Sequence, residues 1–263
     1  MLTEEVESLS RAAMHKVDLC DKHFGKYFLR AVLAGFFIVV ATILSNVSAA
    51  ILYPTYPQFG KLLGAFLFSI AIVLIVFIGG ELFTGNNMVM AMGFYNHSCT
   101  VTKVLKIWLI SYIGNFVGAF LLSSLFVGSG ASRQILIDYY NSFITSKLSI
   151  APMQLFLRGV LCNFFVCIAV FTGTRMKSES GKLVVMFCVI MAFVAAGFEH
   201  CVANMGTFSV AYFLYGGIDL LLVAKSMLFV TLGNIVGGAL LLALGINKVT
   251  HCKKYFKIAF FIP

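Results

Sequence analysis

The sequence predicts an all-α integral membrane protein with six transmembrane spans, organised as one membrane domain over residues 1–263. Three observations lead to this prediction. The chain is 60% hydrophobic and only 11% charged, whereas soluble domains carry about 25% charged residues. Uncharged stretches long enough to cross a bilayer, which takes about 20 residues, recur along the chain. Segments of the first half also reappear in the second half.

Four of the spans are predicted to be simple helices. Residues 31–52, 107–132 and 226–247 carry no charge and are long enough to cross. Residues 159–174 are fewer, but Arg158 and Arg175 flank them. Arginines at helix ends extend their side chains toward the headgroups, so this segment is expected to cross as well.

The second and fifth spans are predicted to be broken. Between Lys61 and Lys103 the only charge is Glu81, and in the corresponding stretch before Asp219 it is Glu199. Each apolar stretch is roughly 35 residues, or about 50 Å as a straight helix, while the bilayer core is about 30 Å thick. Glycine lies beside both glutamates, which places each break near the middle of the membrane.

The two halves contain matching segments in the same order. FLRAVLAGFF at 28–37 matches FLRGVLCNFF at 156–165, and GGELFTGN at 79–86 aligns with GFEHCVAN at 197–204. ISYIGNFVGAFLLSSL at 110–125 matches FVTLGNIVGGALLLAL at 229–244. We therefore assign a first repeat to residues 26–132 and a second to 150–250. Three spans per repeat make the second copy enter from the opposite side, an inverted three-plus-three repeat.

The basic residues set the expected orientation. Fourteen of the 19 lysines and arginines fall on the side that holds both termini, and five fall on the other: Lys61, Arg133, Lys147, Arg158 and Lys225. The positive-inside rule then places both termini in the cytoplasm of a multi-pass cell-membrane protein. This asymmetry explains the net charge of +9, so no nucleic-acid partner is expected.

The two ends of the chain are expected to be cytoplasmic. Residues 1–25 form an amphipathic segment, and residues 251–263 form a tail. Apolar residues of the first segment recur at helical spacing, so it is expected to lie on the membrane surface or against a neighbouring protomer. These residues are Val6, Leu9, Ala13 and Val17.

His200 is the only histidine within a predicted span, and ionisable residues inside membranes usually have a function. The N-terminal ends of broken helices carry partial positive charge and free N–H groups, which suit a small anion. The seven cysteines form no CxxC pair, and no metal-ligand cluster is evident. No catalytic residue, metal or cofactor is expected, and the chain is not predicted to be an enzyme.

GGELFTGN and GVLCNFFVCIA (159–169) resemble the two signature motifs of the formate–nitrite transporter family, and the likeness covers nearly the whole chain. The chain is most similar to the hydrosulfide channel branch of that family. The resemblance implies homopentamers of aquaporin-like protomers in the lipid bilayer. It also implies one pore per protomer for small monovalent weak-acid anions.

The resemblance also implies roles for individual residues. His200 is similar to the central pore histidine, and Thr84 to the threonine that faces it. The other polar residues of the pathway implied by the family are Lys147, Asn163, Glu199 and Asn204, the last two bracing the broken fifth helix. Apolar constrictions are implied at Phe68, Ile72, Leu82, Val166 and Phe193.

The expected function is a channel or facilitator for hydrosulfide, with formate or nitrite also possible. Two roles for His200 stay open: it relays a proton to the anion, or it stays neutral and only donates a hydrogen bond. A sodium- or proton-coupled secondary transporter is one alternative. A neutral-solute channel of the water or glycerol type is another, although paired Asn-Pro-Ala motifs are absent from the sequence.

Overall fold

The computed structural model describes residues 2–250, which are mostly helical. The predicted tail at 251–263 lies outside this range. A π-helix, Val236–Leu244, follows eleven α-helices: α1 (Leu2–Lys22), α2 (Phe24–Leu52), α3 (Pro57–Phe68), α4 (Ile70–Ile78), α5 (Phe83–Tyr95), α6 (Val101–Gly128), α7 (Arg133–Leu148), α8 (Pro152–Arg175), α9 (Glu179–Ala195), α10 (Cys201–Tyr215) and α11 (Leu220–Ile235).

Five helical segments of the described chain are long and apolar enough to cross a membrane: Phe24–Leu52, Pro57–Ile78, Val101–Gly128, Pro152–Arg175 and Leu220–Thr250. Helices α9 and α10 are shorter than these segments, with 17 and 15 residues. Together they occupy the stretch where the sequence predicts the broken fifth span.

Two interruptions fall at the segments where glycine and glutamate lie within two residues of each other. Helix α4 ends at Ile78 and α5 begins at Phe83, while α9 ends at Ala195 and α10 begins at Cys201. Gly79 and Gly197 have φ angles of +91° and +76°. Side chains rarely tolerate this left-handed region, so glycine is the residue that lets the chain turn out of each helix.

The repeated helices pack in pairs at very short range. Helix α2 packs against α6, and α8 packs against α11. A Cβ atom placed on Gly118 would lie 2.1 Å from the Val32 carbonyl oxygen, and one on Gly237 would lie 2.1 Å from the Val160 oxygen. These four positions correspond between the repeats. Small residues thus allow the backbones of both pairs to touch, as in other membrane helix packings.

Helix α1 docks on its own chain, which corrects the expected location on the membrane surface or a neighbouring protomer. Its apolar side is buried with residues of α5, and its ends make ion pairs from Glu5 to Arg175 (3.3 Å) and from Asp21 to Lys106 (2.6 Å). The hydrogen bond from Lys106 lowers the pKa of Asp21, so this link weakens as the pH falls. The buried residues of α1 include Val6, Leu9, Ala13 and Val17.

Replacing Gly118 by alanine should destabilise the protein by about 1–3 kcal/mol, because the new methyl group would push α2 and α6 apart. Gly128 in the same helix is the matched control, since a Cβ there meets nothing within 4 Å. Alanine is the better helix former, so Gly128→Ala should be neutral or slightly stabilising. Thermal unfolding of the purified variants measures both, and equal midpoints would contradict the close packing.

Candidate functional site

Each break is tied to a neighbouring helix through its backbone. The Glu81 N–H donates to the Arg30 carbonyl (3.1 Å), and the Glu199 N–H donates to the Arg158 carbonyl (3.3 Å). The donors and the acceptors occupy equivalent positions in the two repeats. Backbone groups left unpaired at membrane depth cost several kcal/mol each, so these bonds hold both irregular segments in place.

The side chain of Asn234, fully buried on α11, completes the second break. Its amide donates to the carbonyls of Gly159 (2.8 Å) and Glu199 (3.0 Å). Its oxygen accepts from the Cys201 N–H at the start of α10 (2.9 Å). One asparagine therefore joins α8, the break and the first turn of α10.

Asn115 on α6 makes the same three contacts in the first repeat. Its amide donates to the carbonyls of Ala31 (2.8 Å) and Glu81 (3.0 Å). Its oxygen accepts from the Phe83 N–H (2.9 Å). The sequence analysis identified the segments around Asn115 and Asn234 as matching repeats and missed this role. Their alignment at equivalent positions of the two repeats was the signal.

Thr84 and His200 meet where the two breaks face each other, with 2.9 Å between the threonine Oγ1 and the histidine Nε2. The other ring nitrogen of His200, Nδ1, accepts from the Ala203 N–H (3.1 Å) and caps α10. Because Nδ1 acts as an acceptor, the ring proton belongs on Nε2. The histidine is thus held as a neutral ring whose N–H points at Thr84.

A narrow cavity lies beside His200 and has a volume of about 10 Å³, the lower limit for one water molecule. Its wall is apolar apart from the histidine. All five apolar residues that the resemblance implied as constrictions line this one cavity. They share the wall with Ile38, Ala71, Ile75 and Ile190, and they are Phe68, Ile72, Leu82, Val166 and Phe193.

Aromatic rings narrow the cavity. The rings of Phe68 and Phe193 meet edge to face with centroids 6.3 Å apart. Phe193 in turn stacks on the His200 ring, with centroids 6.2 Å apart and planes 22° apart. The polar ring of the histidine therefore lies next to an apolar constriction, the narrow cavity described above, which we call the gate.

Lys147, Glu199 and Asn204 form a buried cluster on one side of the gate. The Lys147 ammonium donates to Glu199 Oε2 (2.6 Å), and the Asn204 amide donates to the same oxygen (2.8 Å). Helix α7 supplies Lys147, and the Asn46 amide anchors that helix by donating to the Tyr140 hydroxyl (2.7 Å). The carboxylate is therefore fully compensated.

The first repeat contains a matching cluster that sequence reasoning missed. The Lys16 ammonium lies 2.5 Å from Glu81 Oε2, and the Asn86 amide donates to that oxygen (3.3 Å). Glu81 and Asn86 align with the glutamate and asparagine of the other cluster, so the repeat offered a signal for them. Lys16 lies on α1, before the first repeat begins, and its role emerges only when α1 docks.

Asn163 does not line the cavity beside His200. Its buried amide donates to the carbonyls of Thr84 (3.2 Å) and Asn234 (2.6 Å). It thus fixes the backbone of the threonine that meets His200. Among residues 2–250, no group of three His, Cys, Asp or Glu side chains is placed to hold a metal ion.

A second, larger cavity of about 410 Å³ adjoins the gate. Lys147 and Glu199 line it together with Lys61 and Arg158. Consecutive residues line the two cavities: Glu199 lines the larger one and His200 the smaller one. We call the larger cavity the vestibule. A cavity lined by charged residues therefore lies next to the small apolar one.

Comparison with known proteins gives the family. The pattern of the Formate/nitrite transporter family matches residues 3–246, and the chain belongs to this family. The formate channel FocA of Haemophilus influenzae is 32% identical over 202 residues, covering 68% of this chain and 71% of that protein.

Two solved structures share the fold at 26% identity. One, described as an FNT family ion channel, has a TM-score of 0.86 and covers 92% of this chain and 97% of its own. The other, described as a pentameric formate channel with formate bound, has a TM-score of 0.72 and covers 91% and 98%. The protein is therefore a multi-pass membrane protein of an anion channel family.

Replacing Asn234 by leucine should destabilise the fold, because it leaves the Cys201 N–H and the Glu199 carbonyl unpaired at about 1–3 kcal/mol each. The equivalent Asn115→Leu should cause a similar loss. Asn141 is exposed on α7 and provides the control, since Asn141→Leu should change little. Thermal unfolding midpoints test the set, and an unchanged midpoint for Asn234→Leu would refute its bridging role.

Proposed function

We propose that the protein is a channel or facilitator for small monovalent weak-acid anions. The observation that carries this proposal is the apolar gate beside His200, opening from a cationic vestibule. Relatives named as formate channels and the family assignment support it. Hydrosulfide is the proposed main substrate, on the basis of the likeness to the hydrosulfide channel branch, with formate and nitrite as further candidates.

In the proposed route, the vestibule attracts anions and the gate determines which chemical species pass. Lys61, Lys147 and Arg158 raise the local concentration of anions in the vestibule. At the gate a bare ion would lose its hydration among phenylalanine and aliphatic side chains, at a large cost in free energy. A weak acid avoids that cost by crossing as its neutral conjugate acid, whereas the anion of a strong acid cannot. The gate thus selects for small weak acids.

We propose that His200 stays neutral during transport. A relay would need a second proton on the ring, but Nδ1 already accepts from the Ala203 amide that begins α10. Protonation there would place two N–H groups face to face and release the helix cap. The geometry therefore favours donation of a hydrogen bond from Nε2, to Thr84 at rest or to the passing weak acid.

The proposed assembly follows the resemblance. The six spans form an inverted three-plus-three repeat of the aquaporin-like type, with α3 to α5 and α9 to α10 as the broken second and fifth spans. The matched bonds of Asn115 and Asn234 support the repeat. We propose a homopentamer with one pathway per protomer and both termini in the cytoplasm. One structural relative is described as pentameric.

The two buried glutamates argue against sodium coupling. Glu81 and Glu199 are each bound by a lysine ammonium and an asparagine amide. A sodium ion at either carboxylate would lie close to the lysine ammonium on Oε2, and the two positive charges would repel each other. We therefore favour a pathway that does not depend on sodium.

Flux measured in proteoliposomes that contain a pH-sensitive dye tests the proposed function. Hydrosulfide, formate and nitrite should enter with coupled proton movement and without sodium, while glycerol should not enter. Lys147→Gln should reduce influx at low anion concentration because the vestibule loses a cation. Entry of glycerol alone, or influx only with sodium, would overturn the proposal.

Two substitutions of His200 separate its possible roles. His200→Gln should keep pH-coupled flux, because an amide still donates and accepts hydrogen bonds at the gate. His200→Leu should lose flux or selectivity because the polar group is gone. If glutamine abolished the pH coupling as completely as leucine, a proton relay through the histidine would be the better account.

A further inference from the structure

The vestibule is far larger than the gate it leads to. Its volume of about 410 Å³ lies within the range of small-molecule sites, about 300–1,000 Å³, whereas the gate cavity measures about 10 Å³. A molecule that fills the vestibule therefore cannot pass the gate in this conformation. The question is which chemistry the vestibule walls would hold.

The side chains that line the vestibule carry a net positive charge. Lys61, Lys147 and Arg158 line the vestibule together with a single carboxylate, Glu199, which leaves a net charge of +2. The Lys147 ammonium forms an ion pair with Glu199. All ten acidic residues of the chain lie within the described range, and none is within 4.0 Å of the cationic groups of Lys61 or Arg158. Two cations thus face the cavity with no carboxylate partner there.

Aromatic residues also line the vestibule. The Tyr53 and Tyr139 rings meet edge to face at 5.5 Å, and Tyr139 stacks on Phe143 at 5.4 Å. The Lys147 ammonium lies 5.7 Å from the centre of the Phe143 ring. Burial raises the pKa of Tyr139 to about 12, so its phenol stays neutral and adds no repulsive charge near pH 7. The aromatic side chains offer an aryl ring edge-to-face or offset-stacked contacts.

We infer that the vestibule is a binding site for aromatic monoanions of the arylsulfonate type, which plug the pathway. The sulfonate group binds Lys61 and Arg158, and the aryl ring packs on Tyr139 and Phe143. A sulfonate stays ionised at every working pH, so it cannot escape through the gate as a neutral acid. The binding stands on the cavity alone, while the block rests on the proposed transport function.

Binding is tested first, on the purified full-length protein in detergent. Benzenesulfonate, methanesulfonate and neutral benzenesulfonamide are titrated by saturation-transfer NMR. Benzenesulfonate should bind most tightly, because methanesulfonate lacks the ring and the sulfonamide lacks the charge. Equal binding of the sulfonamide and the sulfonate would overturn the site.

Variants assign the contacts. The double variant Lys61→Gln and Arg158→Gln should weaken benzenesulfonate at least about tenfold, since charge-assisted hydrogen bonds are lost. Tyr139→Leu should weaken benzenesulfonate but leave methanesulfonate unchanged. Lys225→Gln removes a charge that does not line the vestibule and serves as the matched control. Unaltered affinity in the double variant would place the ligand elsewhere and refute the inference.

Formate flux in proteoliposomes then separates the two proposals. Benzenesulfonate should inhibit wild-type influx, and the double variant should resist the inhibition. If formate fails to enter even without the sulfonate, the proposed function is wrong while the NMR result on binding stands. If formate enters and the sulfonate binds without inhibiting, the vestibule does not lie on the route and the inferred block is wrong.

Discussion

The need to pair backbone hydrogen-bonding groups inside the membrane governs this structure. A helix that stops at membrane depth exposes amides and carbonyls that lipid cannot satisfy. Asn115 and Asn234 satisfy them at the two breaks, each bonding two carbonyls and one amide. The close approach of α2 to α6 and of α8 to α11 lets a short asparagine reach across. The small residues of those pairs and the asparagines therefore act together.

Each break also carries a buried glutamate, and each glutamate is paired with a cation. Each glutamate next to a break is held by a lysine from outside the paired helices, Lys16 from α1 and Lys147 from α7. An isolated carboxylate at this depth would be very costly, and an ion pair with an added amide bond reduces that cost. Two peripheral helices are thus coupled to the centre of the protein, one in each repeat.

The gate combines two opposing properties within a few ångströms. Apolar side chains form the wall, and His200 supplies one polar group whose proton position is set by the start of α10. Asn163 holds the threonine that faces His200, because its amide donates a hydrogen bond to the Thr84 carbonyl. Backbone contacts therefore preorganise the site. The vestibule adds positive charge without filling the gate.

Sequence alone determined the membrane class, the two break positions and the matching segments of the two halves, because long apolar stretches, glycine near glutamate and aligned segments are local features. The family resemblance added the five apolar residues that line one cavity. Only the tertiary structure decided the contacts. Thr84 and His200 are 116 positions apart, and Lys16 and Glu81 are 65 apart. Whether such side chains meet depends on how the helices pack. The same packing kept Asn163 out of the cavity lining and placed α1 against its own chain.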